Sequence, residues 1–180
     1  MLRGERIVLR AVERDDLPAI HAMRNDAPLE SLVYGAPLPH SLTELQAQYD
    51  LEAQKPVPER DAVKFVIQAD GAVIGRCDLF DIDRVSGTVR LGITVDGEHQ
   101  GRGLGTEAVD LLVAYAFRDL GLRKVWLDVL AGNRQAIRSY EKSGFVEEGL
   151  MRAHYWHDGG HRDAVVMGIL RDEWAGPTPA

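Results

Sequence analysis

The sequence predicts a single mixed α/β (α+β) domain, in which strands and helices are interspersed along 180 residues. Two observations carry this. Residues 62–95 alternate apolar and polar side chains around Asp70-Gly71, as an antiparallel hairpin does. From residue 104 onward, helical apolar periods alternate with short apolar strands. No repeat, low-complexity tract or linker divides the chain, so one domain spans residues 1–180, with about the last six residues a tail.

Each element has its own signal. In "RIVLRAV", Ile7, Leu9 and Ala11 recur at alternate positions, with Arg6 and Arg10 among the intervening ones, and predict a first strand. Asp15 or Asp16 can cap a helix whose buried stripe is Leu17, Ile20 and Met23. Residues 27–41 hold three prolines and a glycine and read as an irregular loop. Ser41 followed by Glu44 forms a capping box for a second helix, which "KPVPERD" ends. Two strands flank Asp70-Gly71. After "RVSG" a third strand, "TVRLGITV", puts Val89, Leu91, Ile93 and Val95 on one face. A helix from about Thr106 to Leu120 is stopped by Gly121, and "KVWLDVL" is a short strand. Asn133 caps a helix running to Ser143, and Gly144 ends it. Strands near 145–156 and 162–170 flank the turn in "HDGGH".

Composition narrows the function. A hydrophobic share of 45% and a charged share of 27% are those of an ordinary globular protein. The net charge of −7 argues against nonspecific nucleic-acid binding, which needs a basic surface. It suits attraction of a cationic amine, or simply solubility. No apolar run reaches the roughly 20 residues of a membrane span, and the N-terminus has no apolar signal core. Cys77 is the only cysteine, so no internal disulfide forms and a cytoplasmic location is expected. In its apolar strand it reads as a buried structural thiol.

The stretch "HQGRGLGTEAV", residues 99–109, sets three glycines at alternate positions between a strand and a helix. A dinucleotide fingerprint fails because Thr106 stands where the third glycine belongs, and a P-loop fails for want of Gly-Lys-Ser/Thr. What remains is Q-x-x-G-x-G, given by Gln100, Gly103 and Gly105. Successive amides in such a turn, with a helix N-terminus behind them, form a nest for anions. Arg102 can add a charge-assisted contact. A tight turn with no ligand is the plain alternative.

A second constellation decides between them. "LAGNRQAIRSYEKSGF" places Ala136, Ile137 and Tyr140 on one helical face, one strand after the glycine loop. The Gln100–Gly105 loop, Asn133 and "YEKSGF" at 140–145 together resemble the GNAT superfamily of acetyl-coenzyme A-dependent N-acetyltransferases. Arg152, Tyr155-Trp156-His157-Asp158-Gly159, Asp163 and Met167 resemble the branch holding the ribosomal-protein N-terminal acetyltransferases and many small-amine and antibiotic acetyltransferases. The resemblance implies a mixed, mostly antiparallel twisted sheet with helices on both faces. It also implies a splayed cofactor cleft between the strands at 87–96 and 124–130. There acetyl-CoA is expected to lie, its pantetheine along the backbone of Ile93, Thr94 and Val95. Its diphosphate would sit on the amides of Gln100, Gly101, Arg102, Gly103, Leu104, Gly105 and Thr106, with Asn133 and Ala136 beside the cofactor arm. Arg138 or Arg134 can reach the adenosine end, or be ordinary solvated charges.

The implied reaction is direct attack of a neutral amine on the thioester. Tyr140 stands at the family's general-acid position, where its phenol can protonate the departing thiolate. Backbone N–H groups of the 93–95 strand can polarise the carbonyl. The base departs from pattern: many relatives carry glutamate where this chain has Arg90, and a guanidinium cannot accept a proton. Asp78, Asp81, Asp83, Glu30 and His99 are the candidates to replace it. Arg90 can pair with Asp78 across strands or recognise a substrate carboxylate. Glu30, Tyr34, Asp78, Arg90, Tyr155 and Trp156 are the candidate acceptor-site residues. His154, His157 and His161 flank a Gly-Gly turn without cysteine and read as surface histidines, so no metal is expected. The expected acceptor is a small primary amine, a polyamine or aminoglycoside-like antibiotic. The alternatives are a protein N-terminal α-amine and a catalytically silent acyl-CoA sensor. Neither nucleic acid nor membrane is an expected partner; the family allows a homodimer.

Overall fold

A computed structural model describes residues 1–34, 38–55 and 62–176, apart from the side chains of Val33 and Tyr34. The breaker at 56–61, the chain's last residues 177–180 and the Tyr34 side chain therefore lie outside the described residues. One eight-stranded sheet organises the chain in the order β1-β2-β3-β4-β5-β6-β8-β7. Its strands are β1 (Leu2–Arg3), β2 (Val8–Ala11), β3 (Ala62–Ala69), β4 (Ala72–Asp83), β5 (Thr88–Val95), β6 (Lys124–Leu130), β7 (Val146–His157) and β8 (Gly160–Leu170). Every neighbouring pair is antiparallel except β5 and β6.

Helices cover both faces. Leu104–Arg118 (α4) and Arg134–Lys142 (α5) pack against one face, where Cys77, Leu79, Val89, Leu91, Val125 and Leu127 meet Ala108, Leu112, Phe117 and Ile137. Leu17–Arg24 (α1) and Leu42–Ala53 (α3) cover the other around Leu17, Ile20 and Val66. The period-2 alternation of β3 to β6 sends one set of side chains into the first core and the intervening set to the second face. Burial of Cys77 pushes its thiol well above the ordinary value, so it stays protonated and inert.

The local signals in the sequence place most boundaries. The Ser41 hydroxyl accepts from the Glu44 amide at 3.1 Å and caps α3. Asn133 Oδ1 accepts from the Ala136 amide at 3.1 Å and caps α5. Asp16 precedes α1 without capping it, because its carboxylate takes the Arg10 guanidinium at 2.7 and 2.8 Å and the Glu13 amide at 2.8 Å. This ties α1 to β2 and holds the Asp16 carboxyl below its ordinary range, chiefly through the Arg10 hydrogen bonds.

The stretch read as an irregular loop begins instead with a helix, Ala27–Tyr34 (α2). Pro28 falls in its first turn, where a missing N–H costs nothing. Asp26 Oδ1 accepts from the Leu29 amide at 3.0 Å, and Leu29 is buried. Composition alone misled here, since a proline in the first turn begins a helix as readily as it ends one. The consequence is positional: α2 packs on β5, β6 and β7.

Candidate active site

β5 and β6 pair only at Thr88 with Lys124, Val89 with Val125, and Arg90 with Trp126. Beyond Arg90 the two strands diverge, while β4 follows β5 through Val95 and β8 follows β6 through Leu130. The gap is a cleft of about 640 Å³, lined from both faces of the sheet. Thr106, Ala136 and Tyr140 line it from the α4–α5 side; Asp78, Arg90, Asp128 and Tyr155, with Leu29 and Leu32 of α2, line it from the other. Backbone along the diverging part of β5 finds no partner on β6 and can pair with an extended ligand instead.

At the end of β5 the chain turns through the glycine loop. Gly101 and Gly103 have φ of +74° and +80°, the left-handed region that glycine enters without penalty. Gly103 is the N-cap of α4, and an added Cβ there would stand 3.3 Å from the Arg6 guanidinium. Arg6 braces the outside of the turn through the Arg102 carbonyl at 2.8 Å and the Glu107 carboxylate at 3.0 Å. Gln100 Nε2 donates to the Val95 carbonyl at 2.9 Å and so fixes the turn to the strand it leaves. Among the described residues, the amides of Gly101 to Thr106 donate to no protein acceptor. Gly101, Gly103, Gly105 and Thr106 line the cleft, and Thr106 and Ser139 hydroxyls meet at 2.7 Å to hold α4 against α5. Undonated amides at a helix N-terminus fit a phosphate-bearing group.

Tyr140 projects from α5 over this gap, its ring packed on Phe145 at 5.9 Å. Among the described residues its hydroxyl has no hydrogen-bond partner. Burial, reinforced by the nearby Asp128 charge, pushes its pKa up to about 12, so the phenol stays protonated across the physiological range.

On the opposite face Arg90 meets Asp128, not Asp78. The register puts Phe80 opposite Arg90 and Gly92 opposite Asp78, which rules out the direct cross-strand pair. Arg90 Nη2 donates to Asp128 Oδ1, and the Tyr155 hydroxyl donates to Asp128 Oδ2. Arg90 Nη2 also reaches the Tyr155 oxygen at 3.3 Å. The Phe80 and Trp126 rings flank the guanidinium at 5.1 and 5.3 Å. The cluster joins β5 to β6 just where their backbones part. Arg90 thus commits Nη2 to Asp128 and Tyr155, while its Nη1 stands 4.0 Å from Asp81. Burial, with the Asp128 hydrogen bond, raises the Tyr155 pKa.

The other expected residues are distributed as follows. Ile93, Thr94, Val95, Gln100, Asn133 and Arg138 line the cleft; Leu104 is buried in the core, and Arg102 offers its carbonyl to Arg6. Glu30 is buried and faces Arg76 at 3.4 Å. Trp156 lies outside the cleft lining, 52% exposed and edge-on to His161. His99 is held by Asp96 at 2.6 Å, Asp83 accepts from the turn amides of Val85 and Ser86, and Asp81 is largely exposed. Asp128 was not singled out from the sequence, although one carboxylate inside the apolar run "KVWLDVL" is a signal that a partner must reach it. Among the described residues, no group of three or more His, Cys, Asp or Glu side chains is placed to hold a metal ion.

A sheet opened between its two parallel strands, with undonated amides at one end of the gap and a lone phenol above it, defines an acyl-CoA-dependent acyltransferase. Residues 6–146 match the family model for the acetyltransferase (GNAT) domain. The chain belongs to the GNAT family and is an acetyl-CoA-dependent N-acetyltransferase. It is 32% identical over 168 residues to the spermidine N(1)-acetyltransferase of Escherichia coli strain K12, covering 93% of this chain and 88% of that one. It is 26% identical over 175 residues to a putative ribosomal N-acetyltransferase of Bacillus subtilis strain 168, covering 96% of each. Among solved structures, spermidine N-acetyltransferase from Vibrio cholerae in complex with CoA and spermine superposes with a TM-score of 0.87 at 29% identity, over 94% of this chain and 98% of that one.

Proposed function

We propose that the acceptor is a polyamine, acetylated on a primary amine, with Tyr140 as general acid. The observation that carries this is the acceptor face of the cleft. There Glu30 pairs with Arg76 and Asp128 with Arg90, and among the described residues the Asp78 carboxylate lines the cleft without a hydrogen bond or ion pair. A cationic amine suits that balance, and the spermidine acetyltransferase relatives supply the class. Acetyl-CoA, when bound, supplies the acetyl thioester and a thiolate leaving group. The amides of 101–106 hold its diphosphate, the diverging edge of β5 aligns its pantetheine arm, and Tyr140 donates to the departing sulfur. A cytoplasmic location and a homodimer accompany this reading.

Release of free thiol from acetyl-CoA across a panel of amines is the test. Spermidine and spermine are expected to exceed aminoglycosides and N-terminal peptides at least tenfold in kcat/KM. A peptide acetylated as well as spermidine would overturn the polyamine reading in favour of an α-amine. The glycine turn gives a separate prediction. Gly103→Ala places a Cβ in left-handed backbone at a cost of roughly 1–2 kcal/mol. Acetyl-CoA affinity is expected to fall about tenfold by calorimetry, and unchanged affinity would remove the turn from the cofactor site.

A further inference from the structure

We infer that Asp78 is the proton acceptor for the incoming ammonium, doing from β4 what Arg90 on β5 cannot. The inference rests on acetylation of a cationic amine, as proposed above.

The chemistry needs a group that can take a proton at the acceptor side of the cleft, and Arg90 can only donate. Of the candidate replacements, Glu30 is engaged by Arg76 and Asp83 by its own turn amides, while His99, its Nδ1 on Asp96, lies past the end of β5 at the glycine-loop end of the cleft. Asp81 is 64% exposed beside Arg90. Asp128 receives donors on both oxygens. Asp78 alone lines the cleft with no hydrogen bond or ion pair among the described residues.

Its position is built by a glycine. Asp78 stands opposite Gly92, and a Cβ on Gly92 would lie 2.5 Å from Asp78 Oδ1. The carboxylate therefore occupies the space a side chain at 92 would fill, between β4 and β5 and next to where β5 leaves β6. The charged groups facing it are Lys64 opposite on β3, Arg76 on its own strand and Arg90 on β5. Glu30 from α2 pairs with that Arg76 and Asp128 from β6 with that Arg90. Burial outweighs those cations and raises the Asp78 pKa above the ordinary carboxylate value, which makes it a stronger base.

The proton count closes. The ammonium gives one proton to Asp78, and the neutral nitrogen attacks the carbonyl carbon. The C–N bond forms and the C–S bond breaks. The nitrogen sheds its second proton as the sulfur gains one, and the proton on Asp78 leaves to water through the open cleft. The sum is ammonium plus thioester giving amide, thiol and one proton.

The test is the pH profile of kcat/KM for Asp78→Asn and Asp78→Glu, with acetyl-CoA affinity measured alongside. At pH 7 the asparagine variant should lose about a hundredfold, within the range of general base catalysis. The loss should shrink toward pH 10, where the amine deprotonates unaided. Glutamate should restore most of the rate, and acetyl-CoA affinity should stay within twofold. A rate deficit of the same size at every pH, or no deficit, overturns the assignment.

Melting temperature separates catalysis from structure. A carboxylate with a raised folded pKa favours folding below its unfolded pKa and opposes it as pH rises through the folded value. Asp78→Asn should thus melt higher than the parent at pH 8, with the gain gone by pH 4. A lower melting temperature at pH 8 would mark Asp78 as structural and overturn the assignment. Should the parent acetylate a peptide but not spermidine, the polyamine reading fails and the Asp78 profile is read on that peptide. Absence of turnover with every amine overturns both.

Discussion

Replacing Tyr140 by phenylalanine is expected to lower kcat by about a hundredfold while leaving acetyl-CoA affinity within twofold. A factor of that size is about 2.7 kcal/mol of transition-state stabilisation, more than the small packing change from removing one oxygen would cause. The ring stays on Phe145, so the substitution removes the proton and little else. The sign of the pH dependence follows from the phenol's pKa of about 12. A general acid acts only while protonated, so its loss would appear as a fall in rate on the alkaline side. For Tyr140 that fall lies above pH 10, and parent kcat should hold level from pH 8 to 10. Stopped-flow thiol detection reads both quantities. Full turnover by the phenylalanine variant, or a parent alkaline limb near pH 8, would assign the proton to another donor.

The largest loss of stability is expected from Arg90→Ala. Asp128 has 2% of its side chain exposed and Arg90 27%, so the substitution strands a buried carboxylate with only the Tyr155 hydroxyl. Stranding one partner of a buried pair costs 3–5 kcal/mol; the low end, about 3 kcal/mol, applies because Arg90 keeps partial contact with water. For a domain of this size that is a drop of roughly 6–12 °C in melting temperature. Replacing both partners removes the stranded charge, so Arg90→Leu with Asp128→Leu should recover most of the loss. An Arg90→Ala protein that melts with the parent at pH 8 would show that the pair contributes no more than a surface salt bridge.

Most of the donor side was legible in the sequence because its determinants are local. The Q-x-x-G-x-G turn, the Asn133 cap and the Tyr140 face each lie within a few residues, and their backbone geometry is that of isolated motifs. Helix α2 was missed for a local reason as well: proline content marks a loop and a first helical turn alike. The acceptor side was legible only as a set of residue types. Arg90 was visibly unfit to be a base, but five candidates remained to replace it.

The sequence by itself determined the family, the cofactor and, α2 apart, the main order of strands and helices, because motifs local in the chain carry them. Only the tertiary structure decided which charges on the acceptor side cancel. Arg90 meets Asp128 across 38 residues and Tyr155 across 65, through the register of strands that are neighbours in the sheet and distant in the chain. The same sheet sets Asp78 opposite Gly92, a residue with no side chain, and so gives its carboxylate room at the cleft.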